Sequence, residues 1–212
     1  MKYFKLLILV MLITINQACQ DKRQTIVCIG NSITEGSGLK QFSRRAYPAV
    51  LDSLLGPGYR VINLGRGGAT LLKNGDLSYW NTKEFSNLFG YKADIVIMML
   101  GTNDTKPFNW NAKAFTTDYQ AMIDTLLFLQ GDPKIYICKP VPVFQDVWGI
   151  NDSTMVNGVL PVIDSLAKVN DLALIDLYTG MANEGDHFPD GVHPDEKGAR
   201  LMAGIIAQSL SK

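Results

Sequence analysis

The sequence predicts an α/β domain built on a mainly parallel, doubly wound sheet. Three observations predict it. Five short runs of β-branched or otherwise apolar residues recur along the chain. Segments with helical spacing lie between them, the alternation that parallel strands and their crossover helices require. One run, Ala93–Leu100 (ADIVIMML), is apolar without interruption, as expected of a strand covered on both faces.

The elements follow in order. Thr25–Gly30 (TIVCIG) is a short strand ending in glycine. Arg45–Leu55 has helical spacing through Tyr47, Val50, Leu51 and Leu54. Tyr59–Gly65 (YRVINLG) and Ala93–Leu100 supply the second and third strands. Between Asn111 and Gln130, the positions Phe115, Tyr119, Met122, Ile123, Leu126 and Leu127 mark one helix face. Lys134–Cys138 and Leu172–Asp176 complete the strands, and Pro161 should split or kink the helical stretch Met155–Val169 between them. The last helix is predicted from about Pro194 through Leu201, Ile205 and Ile206, with proline in its first turn.

A chain of 212 residues suits one domain. With 20 basic and 20 acidic residues it offers no electrostatic reason to bind a nucleic-acid backbone. Two histidines and three cysteines, without a CxxC or HxxxH pair, argue against a protein-built zinc or iron–sulfur site. Cys28 and Cys138 sit in apolar strand runs, where a buried free thiol is the default.

The N-terminus reads as an address. Lys2 and Lys5 precede the apolar run Leu6–Ile15, far short of the roughly 20 residues a bilayer span takes. A positive start, a short apolar middle and the small Ala18 describe a secretion signal. Cys19 resembles the lipidated cysteine of bacterial lipoproteins, although Asn16 stands where those proteins usually carry leucine. The expected organisation is a signal over 1–18, a short tether over 19–24 and one domain over 25–212. That implies an exported, membrane-anchored protein, attached only through lipid on Cys19.

In doubly wound sheets the working groups gather at the carboxyl ends of the strands. Gly30-Asn31-Ser32-Ile33-Thr34 follows the first strand, and Gly65-Arg66-Gly67-Gly68-Ala69-Thr70 follows Asn63-Leu64 in the second. Gly101-Thr102-Asn103-Asp104 follows the third, and Asp190-Gly191-Val192-His193-Pro194 comes after the fifth and a loop. Singly, each fragment also fits a structural role: a turn serine, glycines at positive φ, an Asx-turn, a helix cap. Together they set a hydroxyl, backbone donors, an amide and an Asp/His pair at one sheet edge, the parts that acyl transfer to water requires. Other motifs fail. The glycine run ends in Thr70 and follows the wrong strand for a dinucleotide fingerprint, and no GxxxxGK[ST] phosphate loop exists. Ser32 lies in G-N-S-I-T, not in a G-x-S-x-G elbow.

These four fragments resemble, in order, the Ser/Gly/Asn/His blocks of the SGNH, or GDSL-like, hydrolase family, over nearly all of the chain after the signal. Asn31 stands where the first block usually has aspartate. The resemblance implies a flavodoxin-like, three-layer sandwich around a five-stranded parallel sheet. It also implies a carboxylic ester hydrolase without metal or organic cofactor. Ser32 would be the nucleophile, His193 the general base and Asp190 the carboxylate that orients it. The N–H groups of Ser32 and Gly68 with the Asn103 side chain would form the oxyanion hole, Gly68 being chosen by aligning the G-x-T ending. His187 is read as a loop residue.

For the substrate, Trp80, Trp110 and Trp148 all fall after strands and two of them among amides (Tyr79-Trp80-Asn81, Asn109-Trp110-Asn111). Flat aromatic faces beside hydrogen-bonding groups suit sugar rings; the alternative is that these tryptophans cover the ends of the core. The expectation is an esterase removing short acyl groups, above all acetyl, from carbohydrate hydroxyls. Its rivals are a lysophospholipase or thioesterase with the same triad, and a catalytically inactive glycan-binding lipoprotein.

Overall fold

The computed structural model describes residues 23–211. Cys19 and the expected signal lie outside them. Five strands, β1 (Gln24–Gly30), β2 (Tyr59–Gly65), β3 (Ile95–Met99), β4 (Lys134–Lys139) and β5 (Ala173–Asp176), form one sheet in the order β2-β1-β3-β4-β5. Every pairing is parallel. The chain therefore winds outward from β1 to β2, returns to β3 on the other side of β1, and continues to β5.

Alternation along the strands feeds two cores. Val27, Ile29, Val96, Met98, Ile135 and Ile137 point to one face, while Ile26, Cys28, Ile97, Met99, Tyr136 and Cys138 point to the other. Both sets are buried, so β1, β3 and β4 read as near-continuous apolar runs. Cys28 and Cys138 are free thiols on the second face. Burial pushes both up, Cys28 to about 12 despite a hydrogen bond with Tyr47.

The helices close the layers. After the single turn α1 (Ser32–Glu35) come α2 (Tyr47–Leu55), α3 (Lys83–Leu88), α4 (Ala112–Leu127), α5 (Leu160–Val169) and α6 (Glu196–Leu210). α4 starts where the Asn111 side chain accepts the Ala114 N–H, and it buries Phe115, Tyr119, Met122, Ile123 and Leu126 on the first face. α3 and α5 join it there through Leu88, Leu160, Ile163 and Leu166. α2 and α6 cover the second face with Tyr47, Leu51, Ala199, Met202, Ala203 and Ile206.

Two expectations about the helices change. Of the split or kink expected at Pro161, the structure shows no split: the helical run continues from Asp152, and the five residues Met155–Val159 form a wider π turn immediately before Pro161, which lies near the start of α5. The last helix begins at Glu196, not Pro194, because the Asp195 side chain accepts the N–H groups of Lys197 and Gly198 and so caps it.

Candidate active site

The strand order reverses between β1 and β3, and ligand sites of such sheets lie at that crevice. Ser32 directly follows β1 and Asn103 closely follows β3. Ser32 opens α1. The Asn31 side chain caps this turn by accepting the Ile33 N–H at 3.0 Å, and as the first helical residue Ser32 has an N–H without an intrahelical acceptor. The turn sits very close to β2: a Cβ on Gly65 would stand 2.1 Å from the Glu35 nitrogen. That is why the second strand must end in glycine for Ser32 to reach the sheet edge.

The last loop reaches the same place from 161 residues away. His193 Nε2 lies 2.8 Å from Ser32 Oγ, and His193 Nδ1 lies 2.8 Å from Asp190 Oδ2. The other Asp190 oxygen accepts the N–H groups of Val192 and His193 at 2.9 and 2.7 Å. Partial burial alone would raise the Asp190 carboxyl. The His193 N–H and ring and the Val192 N–H outweigh it and hold the carboxyl below the usual range. A carboxylate so fixed accepts a hydrogen bond from Nδ1–H and holds the neutral imidazole in the tautomer whose bare Nε2 can accept the serine proton.

Beside Ser32, Arg66 to Ala69 make a turn closed by the Ala69 N–H on the Arg66 carbonyl at 3.1 Å. Gly68 is its third residue at φ +76°, a conformation that suits glycine. The Gly68 N–H has no acceptor among the described residues. Asn103 is buried and donates one amide hydrogen to the Ala69 carbonyl at 3.0 Å, which leaves the second hydrogen free. The four sequence blocks thus meet at one edge.

The tryptophans separate. Trp80 donates Nε1–H to the Leu71 carbonyl at 2.8 Å and lies between the Phe85 ring and the Lys73 ammonium. Trp110 packs on Phe115 and closely over Gly158, with one edge on a cleft of about 370 Å³. Both pack against the core of the first face, because that core needs covering at the strand ends. Trp148 differs. It is 62% exposed, has φ +56°, and its ring centre lies 5.7 Å from that of His193. His187, the second histidine, lies in a short helical turn and pairs with Asp195 at 3.2 Å. Asp104 was not singled out by the sequence. It is fully buried, and burial pushes its carboxyl up to about 6 against the Leu72 and Leu71 N–H groups.

Fold and site together define a class: a doubly wound α/β protein with a linked Ser–His–Asp set at its strand ends. The chain belongs to the GDSL-like lipase/acylhydrolase family, whose model matches residues 28–201. It is 38% identical over 204 residues to an acetylxylan esterase of Xylanibacter ruminicola, a match covering 87% of this chain and 42% of that protein. This chain therefore spans about two fifths of that relative's length. Two solved structures share the fold. One is a carbohydrate acetylesterase from Sinorhizobium meliloti, with a TM-score of 0.75 at 19% identity, covering 89% of this chain and 99% of its own. The other is an aryl esterase of M. smegmatis, with a TM-score of 0.77 at 21% identity, covering 89% and 98%.

Proposed function

We propose that this protein is a serine esterase that removes acetyl groups from carbohydrate hydroxyls. The observation that carries the reading is the unbroken Ser32–His193–Asp190 chain of 2.8 Å contacts. The 38% identity to an acetylxylan esterase supports the substrate class.

Each step follows from those contacts. His193 Nε2 takes the Ser32 proton as Oγ attacks the ester carbonyl, and the imidazolium that forms is held against the Asp190 carboxylate. The oxygen turned negative in the tetrahedral intermediate faces the Ser32 and Gly68 N–H groups and the free Asn103 hydrogen. Its collapse breaks the ester bond, and His193 returns the proton to the departing sugar hydroxyl. Water, deprotonated by the same nitrogen, then cleaves the acetyl-enzyme to acetate and restores Ser32. Trp148 stands beside the base with most of its ring open, placed to stack on the sugar that leaves. We also propose a lipid anchor on Cys19, a reading supported by the sequence of the first 19 residues. Loss of membrane attachment in Cys19→Ser is its check.

Acetate release from acetylated xylan and acetylated oligosaccharides tests the central reading. Wild-type protein should release acetate and hydrolyse acetate esters much faster than octanoate esters, and Ser32→Ala should abolish both activities. A preference for octanoate would point to a lysophospholipase or thioesterase, while an active Ser32→Ala variant would remove the nucleophile.

A further inference from the structure

Asp104 closes the Gly101–Asp104 block, yet no step above uses it. Its surroundings are specific. Oδ2 accepts the Leu71 N–H at 3.0 Å and Oδ1 the Leu72 N–H at 2.8 Å. Its neighbour Asn103 donates to the Ala69 carbonyl. Two adjacent side chains therefore grip Ala69, Leu71 and Leu72, the residues just beyond Gly68. The grip is braced from outside by Asn109, whose Nδ2 donates to the Asn103 carbonyl at 3.0 Å and to Asp76 Oδ1 at 2.8 Å. The Asp76 N–H returns to Asn109 Oδ1 at 3.0 Å, and Lys106 Nζ donates to Asp76 Oδ2 at 2.8 Å.

A carboxylate is the residue type this place requires. Two successive backbone donors face it, and only an acceptor-only group satisfies both without presenting a donor of its own. An amide would set its NH₂ against one of them. The reason to hold this loop so firmly lies at Gly68, whose N–H is free and whose backbone adopts φ +76°, open to glycine. A preorganised donor stabilises a developing oxyanion only if it is already aimed when the reaction occurs.

We propose that Asp104, braced by Asn109, is the positioning residue of the oxyanion hole, holding the Gly68 N–H in register with the Asn103 amide. The proposal rests on the roles given above to Ser32, Gly68 and Asn103. It is tested by steady-state kinetics, and by the rate of Ser32 labelling with an organophosphonate ester, in Asp104→Asn, Asn109→Ala, Asn103→Ala and the Asp104→Asn/Asn103→Ala double variant. With folding verified by circular dichroism, Asp104→Asn should lower kcat and the labelling rate about 10- to 100-fold, less than the roughly 10²- to 10³-fold expected for deleting a donor. KM should stay within about 3-fold, since the loss falls on the transition state. In the double variant the second substitution should add little, because both act on one device. Losses that multiply, or an unchanged kcat in folded Asp104→Asn, overturn the proposal. If Asp104→Asn does not fold, Asn109→Ala decides. A several-fold fall in kcat at constant KM supports the brace, and an unchanged kcat removes it. Wild-type protein left unlabelled at Ser32 would instead overturn the underlying reading of the site, and this proposal with it.

Discussion

Asp190 does two jobs with two oxygens, and a substitution separates them. In Asp190→Asn, one oxygen can still accept the Val192 and His193 N–H groups, while the new NH₂ faces Nδ1 and favours the wrong tautomer of His193. We expect kcat to fall about 10⁴-fold with folding intact, and His193→Ala to fall further because the base itself is gone. Equal activity of Asp190→Asn and wild type in a stopped assay would contradict the tautomer argument. Trp148 makes a different prediction. On the proposed role its ring would stack on the sugar and not on the acetyl group, so Trp148→Ala should reduce kcat/KM on acetylated oligosaccharides by several-fold to about 10-fold, the scale of a stacking contact worth about 1 kcal/mol. A small aryl acetate should be hydrolysed nearly as before. A uniform loss on both substrates would place Trp148 in supporting His193 instead.

Among the elements, the π turn Met155–Val159 has a measurable constraint. Gly158 lies against Trp110 so closely that a Cβ would stand 2.4 Å from the ring. Gly158→Ala must move the indole or the turn. Overpacking of this kind costs about 1–3 kcal/mol, and at roughly 2–4 °C per kcal/mol the melting temperature should drop by several degrees. An unchanged melting curve would show that the turn yields freely. This turn also illustrates what sequence conveys and what it withholds. The inner strands were legible because a strand buried on both faces is apolar at nearly every position, and the active residues because they follow strands. Pro161 announced an irregularity, but a proline pattern cannot say whether a helix breaks or widens by one residue; the packing of Met155 and Val159 into the core keeps it continuous. The tryptophans look alike in sequence, each after a strand, and only tertiary contacts decide which ring faces inward. The histidines are as ambiguous: Glu184 stands three residues before His187 as Asp190 does before His193, and it is proximity to Ser32 that tells them apart. Asp104 was invisible for a related reason, since its partners are backbone N–H groups more than thirty positions away.

For the whole molecule, acid response divides between two kinds of carboxyl. Asp76, Asp176, Asp190 and Asp195 are held below their ordinary range, in each case against a partial burial that would raise them, by hydrogen bonds and nearby positive groups. Their contribution to stability is present above the ordinary carboxylate range and is lost as pH falls through their depressed values. Asp104 has the opposite sign. Burial raises it to about 6, so its contribution is fully present below its unfolded value of about 4 and is lost as pH rises through about 6. Between those limits the folded state holds a proton that the unfolded chain has released. Urea unfolding at pH 4.5 and pH 7 should therefore show a larger loss of stability with rising pH in wild type than in Asp104→Asn. The two histidines, common to both proteins, cancel in the comparison. Parallel pH slopes would rule out a raised Asp104.

The 161 positions that separate Ser32 from His193 also order events in time. During synthesis the serine emerges with the first strand, while its base follows only after the fifth. At about 5–20 residues per second, on the order of ten to thirty seconds separate the two. Throughout that interval the growing chain carries an ordinary alcohol, unable to attack an ester, and reactivity switches on only when the final loop docks beside the first. Reactivity thus reports that the Asp190–His193 loop has docked: a ribosome-stalled chain ending before Asp190 should bear the whole nucleophile segment and remain chemically silent.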